Sequence, residues 1–135
     1  MAKVTTIPDL YLPLMEGVTI HSNRCCVCGK LGVQMHHVVK RSMGNLYVNG
    51  VRIPRPKLPL CGLGNSSGCH GLAHHNMLHF RWVKSDAVSG GFGRYTHQEG
   101  GDGGHWEYLI TDEPTKYQDA LEMGGWMCLH DCDYV

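Results

Sequence analysis

A single small α+β domain is predicted by three features of this chain. Its 135 residues suit one domain, since domains commonly run to ~100–150 residues. Short β-prone runs are interleaved with two helix-like stretches and many turn residues, and no internal repeat divides the chain. Between Cys25 and His79 lie six histidines and five cysteines. Thiolate and imidazole are the side chains that hold zinc most tightly. Because 18 glycines dilute the core-forming residues, a bound metal is the expected support for so small a core.

Residues 1–23 carry two prolines and scattered apolar side chains (Ile7, Leu10, Tyr11, Leu14, Ile20), and read as an extended arm with one strand covering the core. Cys25-Cys26-Val27-Cys28-Gly29-Lys30 reads as a knuckle, two thiolates three apart with Gly29 freeing the backbone to turn. Val33 to Val39 is a predicted strand. Its His36 and His37 are adjacent, so they point to opposite faces and should do different jobs. Residues 40–60 hold Gly44, Gly50, Pro54, Pro56 and Pro59, which predicts a long connection with little regular structure beyond a β stretch at Val51–Ile53.

His70 to Phe80 reads as a helix, from the spacing of Leu72, Leu78 and the histidines. Arg81–Val83 and Trp106–Ile110 read as two strands, joined by a glycine-rich loop from Ser89 to Gly104 that suggests a mobile tip. Thr115 to Met123 is a short helix after Pro114, ended by Gly124-Gly125. Three segments of one domain follow: an arm (1–23), a metal-binding centre (24–83) and an extension (84–135).

Composition narrows the function classes. No apolar run approaches the ~18 residues of a membrane span, and MAKVTTIPDL lacks a secretory apolar region, so a cytoplasmic protein with no membrane partner is expected. In a reducing compartment, seven cysteines read as metal ligands sooner than as disulfides. Twelve basic and twelve acidic residues sum to zero, where small nucleic-acid binders usually show a basic excess. The charge is uneven, however. Residues 24–57 carry Arg24, Lys30, Lys40, Arg41, Arg52, Arg55 and Lys57 with no acid, while residues 99–133 are strongly acidic. A basic face is therefore compatible with the neutral sum.

Two metal constellations stand out. Cys25-x-x-Cys28 with Cys61 and Cys69 predicts a closed, structural zinc held at ~2.3 Å by four sulfurs. The second pair is separated by seven residues, Gly62 to Gly68, as though a loop had been inserted into a two-residue spacer. Cys26 is an alternative to Cys25. His36 with His70 and His74 forms the second set. Two histidines at i and i+4 share one helix face, and a third from the neighbouring strand completes an open site for a divalent cation. His37, on the other strand face, is left as a general base, with an ordinary pKa of ~6.5 that suits proton abstraction from water. Lys40 and Arg41 follow closely enough to touch phosphate.

The run Cys25-x-x-Cys28, His36-His37-Val38-Val39, Leu60-Cys61, Cys69-His70 and His74 resembles the HNH endonucleases, the ββα-metal nucleases with a treble-clef zinc knuckle. The resemblance covers about residues 24–83, with the remaining strands and the short C-terminal helix as additions of the kind seen on phage and prophage members. It implies His37 as general base, His36, His70 and His74 as ligands of the catalytic metal, and hydrolysis of DNA phosphodiester bonds. The family's cation is typically Mg²⁺, with Zn²⁺, Mn²⁺ or Ni²⁺ also used, and an imidazole site favours the softer ions. The family's middle Asn, which orients the base, has no counterpart in Arg55–Leu60. Asn45, Asn49 or Asn65 could supply it, and Asn49 is taken as the candidate.

A different class of function fits the neutral charge, the acidic final third and the displaced Asn. It is a catalytically inactive HNH-derived zinc protein acting through protein contacts, such as a phage-encoded inhibitor of a CRISPR effector. A zinc-finger-like DNA binder without chemistry is a third class, disfavoured by the absence of net basic charge. Cys128-Leu129-His130-Asp131-Cys132 offers half of a further metal site, with His97 and His105 available. Trp82, Trp106 and Trp126 are expected in packing roles, and His79, His97 and His105 facing solvent.

Overall fold

The computed structural model describes residues 3–63, 67–84 and 104–129. The glycine-rich stretch before Gly104, Asn65, His97 and the segment from His130 to Cys132 lie outside the described residues. In chain order the elements are β1 (Lys3–Thr5), a 3₁₀ turn (Leu12–Glu16), β2 (Val33–His37), a second 3₁₀ turn (Arg41–Met43), β3 (Leu46–Val48), β4 (Val51–Arg52), β5 (Lys57–Cys61), α1 (Gly68–His74), β6 (Leu78–Lys84), β7 (Gly104–Ile110), α2 (Tyr117–Leu121) and β8 (Met127–Cys128). The α+β class is as the sequence predicts. The strands form three antiparallel sheets, ordered β1-β3-β4, β2-β5 and β6-β7-β8.

β2, β5 and α1 build the centre. β2 pairs with β5 along its whole length, from Val33↔Cys61 to His37↔Lys57. The chain leaves β5 at Cys61 and turns back at once into α1. Gly62 and Gly68 make that return possible: both have positive φ (104° and 64°), and a Cβ on Gly62 would run into the Ser67 carbonyl oxygen. The Leu63 N–H also donates to Ser67 Oγ at 3.0 Å, pinning the loop from within. Cys61 and Cys69 are thereby brought together despite the seven residues between them.

Two expectations need correction. Residues 40–60 contain, besides the expected β stretch at β4, the strand β3, a 3₁₀ turn and most of β5, and not a largely irregular connection. The cause is Asn49-Gly50, whose φ values of 53° and 81° form a two-residue hairpin turn of the kind that matches strand twist, with Val48↔Val51 closing it. Second, the predicted helix from His70 to Phe80 ends at His74 and becomes strand β6 at Leu78. Asn76 takes a left-handed conformation (φ 61°). Its N–H bonds to the Ala73 oxygen at 3.2 Å and the Met77 N–H reaches back to the Leu72 oxygen at 2.9 Å, a Schellman-type stop. Beyond it Leu78, Phe80 and Trp82 alternate with period two, and all three are buried.

One hydrophobic cluster draws on every part of the chain: Ile7, Leu14 and Ile20 from the arm, Leu58 and Leu60 from β5, and Trp82, Trp106 and Leu129 from the remainder. Trp106 is fully buried, edge-on to Trp82 with ring centroids 5.2 Å apart. Its Nε1–H donates to the Val18 oxygen at 2.7 Å, which satisfies the indole's one polar atom inside the core. His79 and His105, expected to face solvent, are both buried. Strand alternation places them on the opposite sheet face from Phe80, Trp82 and Trp106, and that face is covered too: the ring of Tyr117, in α2, lies 6.2 Å from His79. Among the described residues, no helix is long and apolar enough to cross a membrane.

Candidate metal centres and the adjoining cavities

The structure brings the sulfurs of Cys25, Cys28, Cys61 and Cys69 within 4.8 Å of one another. Cys25, and not Cys26, belongs to this group. The knuckle is held by its backbone: Cys25 N–H donates to the Lys30 oxygen at 2.8 Å and Gly29 N–H to the Cys25 oxygen at 2.9 Å. Backbone amides also point at sulfur, from Val27 to Cys25 Sγ and from Cys69 to Cys61 Sγ, each at 3.4 Å. Such donors favour thiolate over thiol.

The ionisations of Cys25, Cys28 and Cys69 depend on one another. A hydrogen bond from the Cys69 thiol, helped by backbone N–H groups and partly opposed by burial, brings Cys25 down to about 4. The same pairing pushes Cys69 up, and burial, with neighbouring thiols adding to it, raises Cys28. A second thiolate beside the first is thus disfavoured until a positive ion enters. A coordinated dication reverses that balance and lets all four ionise. Four sulfurs, with no fifth donor grouped with them among the described residues, fit a closed zinc site.

The second group is His36 on β2 with His70 and His74 on α1, their ligand nitrogens also within 4.8 Å. Ring centroids lie 5.2 Å apart for His36 and His70, 5.6 Å for His36 and His74, and 4.7 Å for His70 and His74. His70 Nε2 and His74 Nε2 approach to 3.1 Å, close to the ~3.3 Å expected for two nitrogens at ~2.0–2.1 Å on one tetrahedral ion. Gln34, two residues before His36 on β2, accepts a hydrogen bond from His70 Nδ1–H at 3.0 Å. That bond fixes the tautomer whose Nε2 lone pair faces His74, an outer partner typical of metal-bound imidazoles. The sequence analysis missed Gln34; period-two spacing from His36 is the signal that could have found it.

Burial, reinforced by the charges of His70, His74, His37 and Lys40, lowers His36 to about 3. Burial and the neighbouring His74 lower His70. Both are therefore neutral at ordinary pH, the form that ligates a metal.

His36 and His74 line a cavity of about 370 Å³ that also takes in His37, Lys40 and Asn76. His37 lines a second cavity as well, of about 580 Å³, whose other walls include Arg41, Asn45, Arg52, Arg55 and Lys57. His37 thus stands where a histidine cavity meets a cationic one. Burial comes first, then Arg41, Lys57 and Arg55, in lowering its pKa. Arg55 is held in place by donating from Nη2 to Asn45 Oδ1 at 3.0 Å and to the Gly44 oxygen.

Of the nucleic-acid candidates, Lys40 faces the first cavity and Arg41 the second; Arg52, Arg55 and Lys57 complete the cationic wall that sequence reading had only as a charge run. Asn49 occupies the β3–β4 turn and lines neither cavity. Two other asparagines share a cavity with His37: Asn76 in the first and Asn45, on the cationic side, in the second. In comparisons with known proteins, no family model, no curated protein and no solved structure matches the chain.

Proposed function

We propose that this chain is a metal-dependent endonuclease of the HNH, ββα-metal kind, hydrolysing phosphodiester bonds in DNA, with Cys25, Cys28, Cys61 and Cys69 as a treble-clef zinc knuckle. The observation that carries the reading is the position of His37, shared by the cavity that His36 and His74 line and the cationic cavity beyond it. β2, β5 and α1 supply the strand, strand and helix on which such a site would be mounted.

His36, His70 and His74 would hold a divalent cation, which when bound supplies positive charge to the attacked phosphate and the departing 3′-oxygen. The remaining work belongs to side chains. His37, kept neutral by burial and by its cationic neighbours, accepts the proton of the attacking water at an imidazole nitrogen. Arg41, Arg52 and Lys57 neutralise backbone phosphates on one side of His37, and Lys40 on the other. Asn45, tied to Arg55, is the asparagine placed to steady this wall.

The test is cleavage of supercoiled plasmid by the purified chain with Mg²⁺, Mn²⁺, Ni²⁺ or Zn²⁺ added. His37→Ala should slow cleavage by ~10²-fold or more, the usual contribution of a general base, with zinc content unchanged. Equal cleavage by wild type and His37→Ala would remove the mechanism. No cleavage with any cation, together with a stable protein partner captured equally by a variant lacking His36 and His37, would favour the non-catalytic inhibitor.

A further inference from the structure

A third cluster of ligating side chains lies well apart in sequence from the two centres above, on the β6-β7-β8 sheet. Arg81, Glu107 and Cys128 stand side by side across the three strands, paired Arg81↔Glu107 and Glu107↔Cys128. His105, two residues before Glu107 on β7, projects to the same face. The ligand atoms of His105, Glu107 and Cys128 all lie within 4.8 Å of one another. His105 and Glu107 are well shielded, with side-chain exposures of 5% and 17%.

We propose that His105, Glu107 and Cys128 form a metal site for zinc that ties β7 to β8, a site independent of the nuclease reading. The donor set points to the ion. One thiolate, one imidazole and one carboxylate are together too soft for Mg²⁺ or Ca²⁺ and match the borderline character of zinc. Three protein donors leave one tetrahedral position for a further ligand.

The surroundings are built as an outer shell would be. His105 Nε2 and Glu107 Oε2 lie 3.1 Å apart, a separation suited to two donors on one ion. The other carboxylate oxygen, Oε1, accepts from Arg81 Nε at 2.8 Å and from Nη2 at 2.6 Å. Arg81 is in turn fixed by Trp126, its guanidinium carbon 4.5 Å from the ring centroid. Glu107 is thereby oriented with one oxygen fixed and one turned to His105, as ligating carboxylates usually are. A hydrogen-bonded ion pair accounts for Arg81, Glu107 and His105, and sheet register sets Cys128 beside them. A thiol is a weak hydrogen-bond partner, whereas a thiolate is a strong zinc ligand, so an ion would add far more at this position than an S–H contact. β8 has two residues and two register pairs, and an ion held by Cys128 would add to the hold that buried Leu129 gives this edge.

The experiment is zinc counting on the intact chain by native mass spectrometry, comparing wild type with Cys128→Ser and Cys128→His. Cys128→Ser should carry one zinc fewer than wild type, and Cys128→His, which returns a strong ligand, should regain it. Equal zinc in wild type and Cys128→Ser overturns the site, and so does a loss that histidine fails to restore. A second measurement needs no variant. In cadmium-113 NMR of the substituted wild-type protein, an ion with one thiolate resonates far from one with four. A separate single-thiolate signal is expected, and its absence at saturating cadmium also overturns the proposal.

Discussion

At His70 the Nδ1–H donates to Gln34 Oε1 3.0 Å away, so Nε2 keeps the lone pair that faces His74. Gln34 is exposed and contributes little to the core, which separates its effect on metal from its effect on folding. Gln34→Ala should weaken divalent-metal affinity at the histidine centre by ~10–100-fold, the usual cost of losing such a partner. Calorimetric titration against the zinc-loaded chain measures this, with thermal stability unchanged as the control. His79 makes a different point at the same scale. Burial lowers its pKa despite opposing hydrogen bonds to the Asn76 and Thr115 backbones. In the unfolded chain it titrates near ~6.5, so below that pH the unfolded state binds the proton that the folded state refuses. Stability should therefore be full above that value and fall as pH drops through the window down to the lowered folded value. Denaturant unfolding at stepped pH reads this out, and His79→Gln should flatten the acid slope.

Gly62 and Asn76 show how single backbone positions define the elements around the sites. With φ at 104° and the Ser67 carbonyl where a Cβ would sit, Gly62 admits no side chain without moving the Cys61–Cys69 return. Gly62→Ala should cost ~1–3 kcal/mol in stability and lower zinc affinity with it, because binding at such sites is linked to folding; a chelator titration followed by circular dichroism measures both. Sequence alone revealed the Cys25–Cys28 pair, since Cys-x-x-Cys joined by two further cysteines points to a metal, and it revealed β2, β7 and the second half of β6 through β-prone composition. It misplaced the end of α1. Leu72 and Leu78 mimic helical spacing, while the stop at Asn76 depends on a left-handed conformation that asparagine only sometimes adopts. Of the β3–β4 hairpin only the second strand was legible, at Val51–Ile53; three prolines nearby outweighed the Asn49-Gly50 turn signal that pairs it with β3.

Across the whole molecule, the convergence of distant residues was legible only in part. The four cysteines and the three histidines were readable as sets because Cys25-x-x-Cys28 and His70-x-x-x-His74 each follow ligand spacing, with Cys61, Cys69 and His36 as the further donors nearby in the chain. The cationic cavity was not. Arg41, Arg52 and Lys57 belong to a turn, a hairpin and a strand, and only the packing of those elements around His37 gathers them. A zero net charge conceals such gathering, since it sums the acidic final third with the basic centre. His105 was legible as a possible partner of Cys128, but Glu107 was not, because its meeting with Cys128 depends on sheet register between β7 and β8.

Four sulfurs holding one ion would set β2 against α1 so that three imidazoles share another. Anomalous diffraction from crystals of the chain soaked in Zn²⁺ or Mn²⁺ is the decisive measurement. One peak should lie enclosed by Cys25, Cys28, Cys61 and Cys69, and a second should be bonded to nitrogens of His36, His70 and His74 with His37 unligated beside it. Imidazoles turned to separate surfaces at saturating metal, with no ion among them, would rule this arrangement out.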